Sequence, residues 1–298
     1  MSRIEKVGIL GGGQMGLGIA QVAAKAGFAT TLVKATPGDA GALQQKIAGA
    51  YERDVEKGRM KAEERDAAID RLHATSAYHD LAECDLVIES IVEDLDQKLE
   101  TFARLDEICN ANAIFASNTS TLGITAMAVE TRRADRFIGL HFFNPAPAMK
   151  LVEVATTLAT APDVAVAARD FAIALGKTPV LLRDSTGFVV NRLLVPYLLD
   201  AMNEWARGTA SIEDIDIAMC NGAAHPMGPF TLADFIGLDV VHEMAANLHE
   251  EYREARFAPP PVLKRLVLSG QLGRKSRKGF YDYAEKPPRA NPALNRTT

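Results

Sequence analysis

Cysteine is scarce. Only Cys84, Cys109 and Cys220 occur, an odd number with no two at metal-ligand spacing. This argues against a disulfide framework or a cysteine-built zinc site, and a reducing compartment is the plain reading. No metal is expected. A cationic excess is also missing: 33 Lys and Arg stand against 38 Asp and Glu, a formal charge of −5. Such a chain is a poor nucleic-acid binder, because neutralising phosphates needs a basic surface. Long apolar runs are absent as well. The longest uncharged stretch, Ile108 to Val129, is broken by Asn, Ser, Thr and Gly and cannot span a bilayer. The opening MSRIEKVGIL leads straight into a strand pattern without a signal-peptide apolar stretch, and the closing NRTT is not a peroxisomal address. A cytoplasmic protein with no membrane and no nucleic-acid partner is expected. What remains is ordinary for a globular chain: 48% hydrophobic and 24% charged over 298 residues. At roughly 100–200 residues per domain, that length makes two domains or one large one.

The first half alternates strand and helix signals. Apolar runs at Lys6–Leu10, Ala29–Val33, Asp85–Glu89, Ala113–Ala116, Phe137–Leu140, Leu151–Ala155 and Pro179–Leu182 read as strands. Helical periodicity falls at Met15–Ala26, Ala40–Lys57, Ala62–Leu72, Leu95–Asn110 and Pro162–Leu175. This alternation predicts an α/β fold with a mostly parallel, doubly wound sheet. After Thr186 the candidates are helical: 188–207, 212–220, 232–235, 240–252 and 260–269, with one strand signal at 279–283. The expected division is a dinucleotide-binding domain over 1–185 and a helical C-terminal domain over 186–298. The Pro-rich tail after Lys286 is expected to be disordered.

Four local patterns carry chemistry. Gly11-Gly12-Gly13-Gln14-Met15-Gly16 is a GxGxxG between a strand and a helix. Gly11 permits the tight turn, Gly13 lets a pyrophosphate approach the backbone, and Gly16 permits close helix–sheet packing. The helix N-terminus offers amide donors to the phosphates. The end of the second strand, where dinucleotide folds usually carry an acidic residue for the ribose hydroxyls, holds Lys34. A lysine has no acceptor but can donate to a 2′-phosphate, which raises NADP as a cofactor. The plain alternative is a solvated lysine that only weakens NAD binding. Second, Ser117-Asn118-Thr119-Ser120 follows a strand, where ligands bind in open α/β sheets; helix capping is the other reading. Third, His141 stands at a strand end, placed as a general base, and twelve residues on Glu153 interrupts an apolar run. A carboxylate buried in a strand needs a partner, and His141 is the natural one; an exposed Glu153 and a structural His141 are the alternative. Fourth, Asn191 lies in the first turns of an apolar helix, able to reach a ligand or merely to cap.

Together these residues resemble the short-chain 3-hydroxyacyl-CoA dehydrogenase family, which includes the bacterial 3-hydroxybutyryl-CoA dehydrogenases. The resemblance runs from about Lys6 to Tyr283 and adds Glu89-Ser90-Ile91-Val92-Glu93, Arg136–Pro145, Gly187–Arg192, His225–Pro229 and Leu272–Ser276. The segment His225-Pro226-Met227-Gly228-Pro229 is best read as a rigid loop. The resemblance implies a Rossmann-like N-terminal domain and an all-helical C-terminal domain that forms a homodimer. It implies His141 as general base, Glu153 as its partner, and Ser120 and Asn191 as substrate contacts donating to a developing alkoxide. It also implies a nicotinamide cofactor, NAD by family default, lined by Glu93, Lys98, Ser120, Asn144 and Lys275 beside the Gly11, Gly13, Gln14, Met15 and Gly16 loop. Lys57 matches a basic position near the coenzyme A phosphates of an acyl-CoA. Lys34 departs from the family's Asp. The expected reaction is (3S)-3-hydroxyacyl-CoA to 3-oxoacyl-CoA. Oxidation of a free hydroxy acid, gulonate- or carnitine-like, on the same fold is one alternative, and nucleotide binding without turnover is another.

Overall fold

The computed structural model describes residues 4–36 and 38–294. The chain divides after Phe188.

The first unit is built on an eight-stranded sheet in the order β3-β2-β1-β4-β5-β6-β7-β8. Its strands are β1 (Lys6–Leu10), β2 (Ala29–Val33), β3 (Leu72–Thr75), β4 (Leu86–Glu89), β5 (Ile114–Ser117), β6 (Phe137–Phe142), β7 (Leu151–Thr156) and β8 (Thr178–Arg183). Helices α1 (Gln14–Lys25), α2 (Gly41–Glu56), α3 (Ala62–Asp70), α4 (Leu95–Ile108), α5 (Ile124–Ala128) and α6 (Pro162–Ala174) connect them. Side chains alternate across a strand, so neighbours go to opposite faces. Ile9, Ile88, Ala116 and Ile138 meet Ile19, Leu43 and Phe171, from α1, α2 and α6, on one face. Leu10, Val87, Phe115 and Phe137 meet Phe102, Ile124 and Met127, from α4 and α5, on the other. Burial on both faces explains why the strands read as near-continuous apolar runs.

The expected doubly wound sheet is present, with local differences. The helix read over Ala62–Leu72 ends at Asp70, and β3 begins at Leu72, a strand the sequence pattern does not signal. Its sequence, Leu-His-Ala-Thr, has little strand character, and it forms because Leu72 to Thr75 pair in register with Thr30 to Val33. β7 runs antiparallel to β6, whereas all other neighbours in the sheet are parallel. The short segment between β6 and β7 has no room for the crossover that a parallel pair needs. β6 also runs two residues further than its apolar pattern, so that His141 and Phe142 lie inside the strand.

The second unit, from Val189, packs α7 (Val190–Arg207), α8 (Ile212–Gly222), α9 (Pro229–Ile236), α10 (Leu238–Tyr252) and α11 (Pro261–Leu268) around Leu198, Phe230, Leu248 and Phe280. Asp216 caps α9, accepting from the amides of Phe230 (2.8 Å) and Thr231 (3.0 Å). The expectation of a disordered tail after Lys286 does not hold through residue 294. β9 (Tyr281–Asp282) pairs with β10 (Arg289–Ala290). Asn291 is fully buried, its amide donating to Gln271 Oε1 (2.6 Å) and the Gly279 carbonyl (2.7 Å). Those acceptors are what order a segment whose composition reads as loose. Residues 295–298 lie outside the described residues. Among the described residues no helix is long and apolar enough to cross a membrane, and no cluster of His, Cys, Asp and Glu could hold a metal.

Candidate active site

The C-terminal ends of β1, β4, β5 and β6 lie side by side, and the chemistry-bearing residues of the first unit gather there. Gly11 takes φ +130°, and a Cβ on it would sit 2.2 Å from the Ser90 carbonyl oxygen. A Cβ on Gly16 would sit 1.9 Å from the Gly11 carbonyl oxygen. Only glycine fits at these two positions, one for the turn and one for packing. Gly13 differs: a Cβ there meets nothing within 4 Å. Its Cα borders open space at the start of α1. Gln14 and Met15 open that helix, and neither a side-chain cap nor an acidic residue occupies its first turn. Uncapped amides, a dipole with its positive end outward and room beside Gly13 are what a pyrophosphate requires. The loop fits a dinucleotide.

Lys34 follows β2. Its ammonium donates to the Thr36 carbonyl (2.9 Å) and to Thr36 Oγ1 (3.1 Å), folding back onto its own loop.

The end of β4 holds a buried polar network. Glu89, fully buried, accepts from the Ile91 amide (2.7 Å) and Lys98 Nζ (2.6 Å) with one oxygen and from Ser117 Oγ (2.6 Å) with the other. Lys98 is 1% exposed and also lies 3.4 Å from Glu93 Oε2. Glu93 Oε1 accepts from Thr119 Oγ1 (2.6 Å), the Ser120 amide (2.8 Å), Ser120 Oγ (3.1 Å) and the Thr121 amide (3.1 Å). Burial pushes the Glu93 carboxyl up, but the Lys98 charge and these donors outweigh it and hold the group below the ordinary carboxylate range. The resemblance sets Lys98 at the cofactor; its ammonium lies in the interior, directed at two carboxylates.

At the end of β6, His141 stands directly opposite Glu153 of β7 in the antiparallel register, and His141 Nδ1 lies 2.7 Å from Glu153 Oε2. The predicted pair is formed, with both side chains buried. An ionised carboxylate only accepts, so Nδ1 carries the proton, and Nε2 of the neutral ring is left with its lone pair. Phe143 and Phe188 pack on the imidazole, ring centroids 4.5 and 5.6 Å away. Phe188 does so from a left-handed backbone, φ +47°, unusual for a bulky residue. Asn144 is exposed on the following loop. That loop is tied down by Lys177, whose ammonium donates to the carbonyls of Ala146 (2.6 Å) and Met149 (2.7 Å).

Three further expected positions fall on other elements. Lys57 is exposed just past the end of α2. In the second unit Asn191 is buried in the first turn of α7, and Lys275 is ion-paired with Asp239 at 2.5 Å. The residues that sequence reasoning passed over are Glu89, Ser117 as a partner of Glu89, and Phe188. Glu89 carried a signal like that of Glu153, a carboxylate in an apolar strand, here at its end.

Comparison with known proteins agrees with the geometry. The family model described as 3-hydroxyacyl-CoA dehydrogenase, NAD binding domain, matches residues 6–185, and that of the C-terminal domain matches 187–283. A 3-hydroxybutyryl-CoA dehydrogenase of Mycobacterium tuberculosis is 44% identical over 282 residues, covering 94% of this chain and 99% of the relative. The human mitochondrial hydroxyacyl-coenzyme A dehydrogenase is 44% identical over 289 residues, 94% of this chain and 91% of that one. The crystal structure of (S)-3-hydroxybutyryl-CoA dehydrogenase from Ralstonia eutropha superposes with a TM-score of 0.91 at 38% identity, covering 95% of this chain and 100% of that one. With matching domains in tandem and relatives alike over almost its whole length, the chain belongs to the 3-hydroxyacyl-CoA dehydrogenase family.

Proposed function

We propose that the protein interconverts a (3S)-3-hydroxyacyl-CoA and the 3-oxoacyl-CoA using a nicotinamide cofactor. The observation that carries this is the His141–Glu153 pair, 2.7 Å apart, on the sheet edge that also presents the glycine-rich loop. His141 Nε2 takes the proton of the 3-hydroxyl. The bound nicotinamide supplies the hydride acceptor for C3. The imidazolium that forms lies against the Glu153 carboxylate, which stabilises its charge and keeps the ring in the orientation that the next turnover needs. Phe143 and Phe188 limit ring rotation and keep bulk water from the base. The glycine loop binds the pyrophosphate, and Asn144 and Glu93 stand on the loops that would border the nicotinamide. Asn191, as a substrate contact, Lys275, at the cofactor, and Lys57, at coenzyme A, are carried by the family motifs.

NAD is the default of the family, and Lys34 extends the reading to NADP. Its ammonium already serves two oxygens of Thr36, so a 2′-phosphate would take over donors that the loop now uses internally. We also read the protein as a cytoplasmic homodimer assembled through the helical unit, which light scattering would check. The deciding experiment is an initial-rate assay of acetoacetyl-CoA reduction with NADH and NADPH side by side, with free acetoacetate as control. Turnover of the thioester and not of the free acid is expected. Turnover of the free acid alone would shift the assignment to a hydroxy-acid dehydrogenase, and no turnover of either would remove it.

A further inference from the structure

Two buried charges have no part in the proton transfer at His141. Glu89 is 0% and Lys98 1% exposed. Glu89 is gripped by donors from three segments: the Ile91 amide, Lys98 on α4 and the Ser117 hydroxyl at the end of β5. It has no freedom to swing away, and it fixes the Lys98 ammonium at 2.6 Å. The same ammonium reaches Glu93 Oε2 at 3.4 Å. Glu93 in turn takes the place of backbone partners for a stretch without helix or strand, accepting the Ser120 and Thr121 amides and the Thr119 and Ser120 hydroxyls. Without a cation between them, two carboxylates this close would repel, and Glu93, the more exposed, would leave those donors.

We propose that Glu89 and Lys98 are positioning residues of the active site. Glu89 locks Lys98, Lys98 holds Glu93, and Glu93 fixes the turn carrying Ser120 with the hydroxyl hydrogen directed at Glu93. Lys98 thus acts on this turn through Glu93. The effect on turnover rests on the dehydrogenase reading; the effect on the turn does not.

The test uses the full chain as Lys98→Met and as the double variant Glu89→Gln/Lys98→Met. It combines thermal melting, amide hydrogen exchange over residues 119–122, and kinetics with 3-hydroxybutyryl-CoA and NAD. Removing both members of a buried pair strands no charge, so the double variant should melt close to wild type. Its Ser120 and Thr121 amides should exchange at least about tenfold faster, and kcat should fall at least about tenfold with the acyl-CoA KM changed less than about threefold. Lys98→Met alone strands Glu89 and should melt lower; if it does not fold, the double variant carries the test. Wild-type protection and wild-type kcat in the double variant would overturn the proposal. If the wild type itself fails to turn over the thioester, the dehydrogenase reading falls, and the exchange measurement still decides the positioning.

Discussion

Replacing Glu153 by Gln keeps the size and the acceptor oxygen of a side chain that is 1% exposed, and removes its charge. The Nδ1 hydrogen bond, 2.7 Å long, can persist to the amide oxygen, so the ring stays in place. What is lost is the attraction between the carboxylate and the imidazolium formed when His141 takes the hydroxyl proton. For charge centres about 4 Å apart at an effective dielectric of about 20, that attraction is about 4 kcal/mol. The amide dipole retains a part, so a loss of roughly 3–4 kcal/mol is expected, which is a kcat lower by roughly 10²–10³. The interaction grows with the imidazolium and is weak in the ground state, so the acyl-CoA KM should change little. Steady-state rates of hydroxybutyryl-CoA oxidation, followed by nicotinamide absorbance, give both constants. His141→Ala should lower kcat at least as far. A folded Glu153→Gln protein with kcat within about threefold of wild type would refute the argument, because a buried carboxylate at this distance cannot be electrostatically silent.

Lys34→Asp should move the NADH-to-NADPH ratio of kcat/KM toward NADH by at least about tenfold, about 1.4 kcal/mol, since a charge-assisted bond to phosphate is lost and a repulsion gained; a wild type using NADH with no detectable NADPH activity would make Lys34 a solvated lysine. Gly13→Ala, whose Cβ has open space, should leave the melting temperature near wild type and raise the cofactor KM at least about tenfold, whereas Gly16→Ala, 1.9 Å from a carbonyl, should destabilise the fold itself. Asp106 binds Arg132 and Arg133; burial pushes its carboxyl up, but the two guanidinium groups outweigh this and hold it below the ordinary range. With the folded value depressed, its contribution to stability is present above about pH 4 and lost as pH falls further, so Asp106→Asn should flatten the acid limb of a urea-stability profile and lower stability at neutral pH. Asn291→Ala leaves two acceptors of the second unit without their donor and should cost about 1–3 kcal/mol by urea denaturation, while an unchanged midpoint would mean that the tail holds nothing.

Local chemistry was enough to read the glycine loop, the alternation of strands and helices, and the need of Glu153 for a partner. Each rests on a constraint that acts within a few residues: backbone freedom at glycine, side-chain periodicity, the desolvation of a carboxylate in an apolar run. The sequence also offers His141 as the natural partner, but not the register that pairs them. It took the antiparallel turn-back of β7 to set Glu153 opposite His141. The same holds for β3, a weak strand sequence drawn into the sheet by the edge of β2, and for the Pro-rich tail, ordered because Asn291 finds acceptors at Gln271 and Gly279. Lys98 is the clearest case. In the sequence it is a cation near a cofactor motif, while in the fold it lies between Glu89 and Glu93. Which of the nearby carboxylates a buried charge meets is decided by what the packed structure brings within hydrogen-bonding reach, because leaving it unpaired in the interior is too unfavourable to persist.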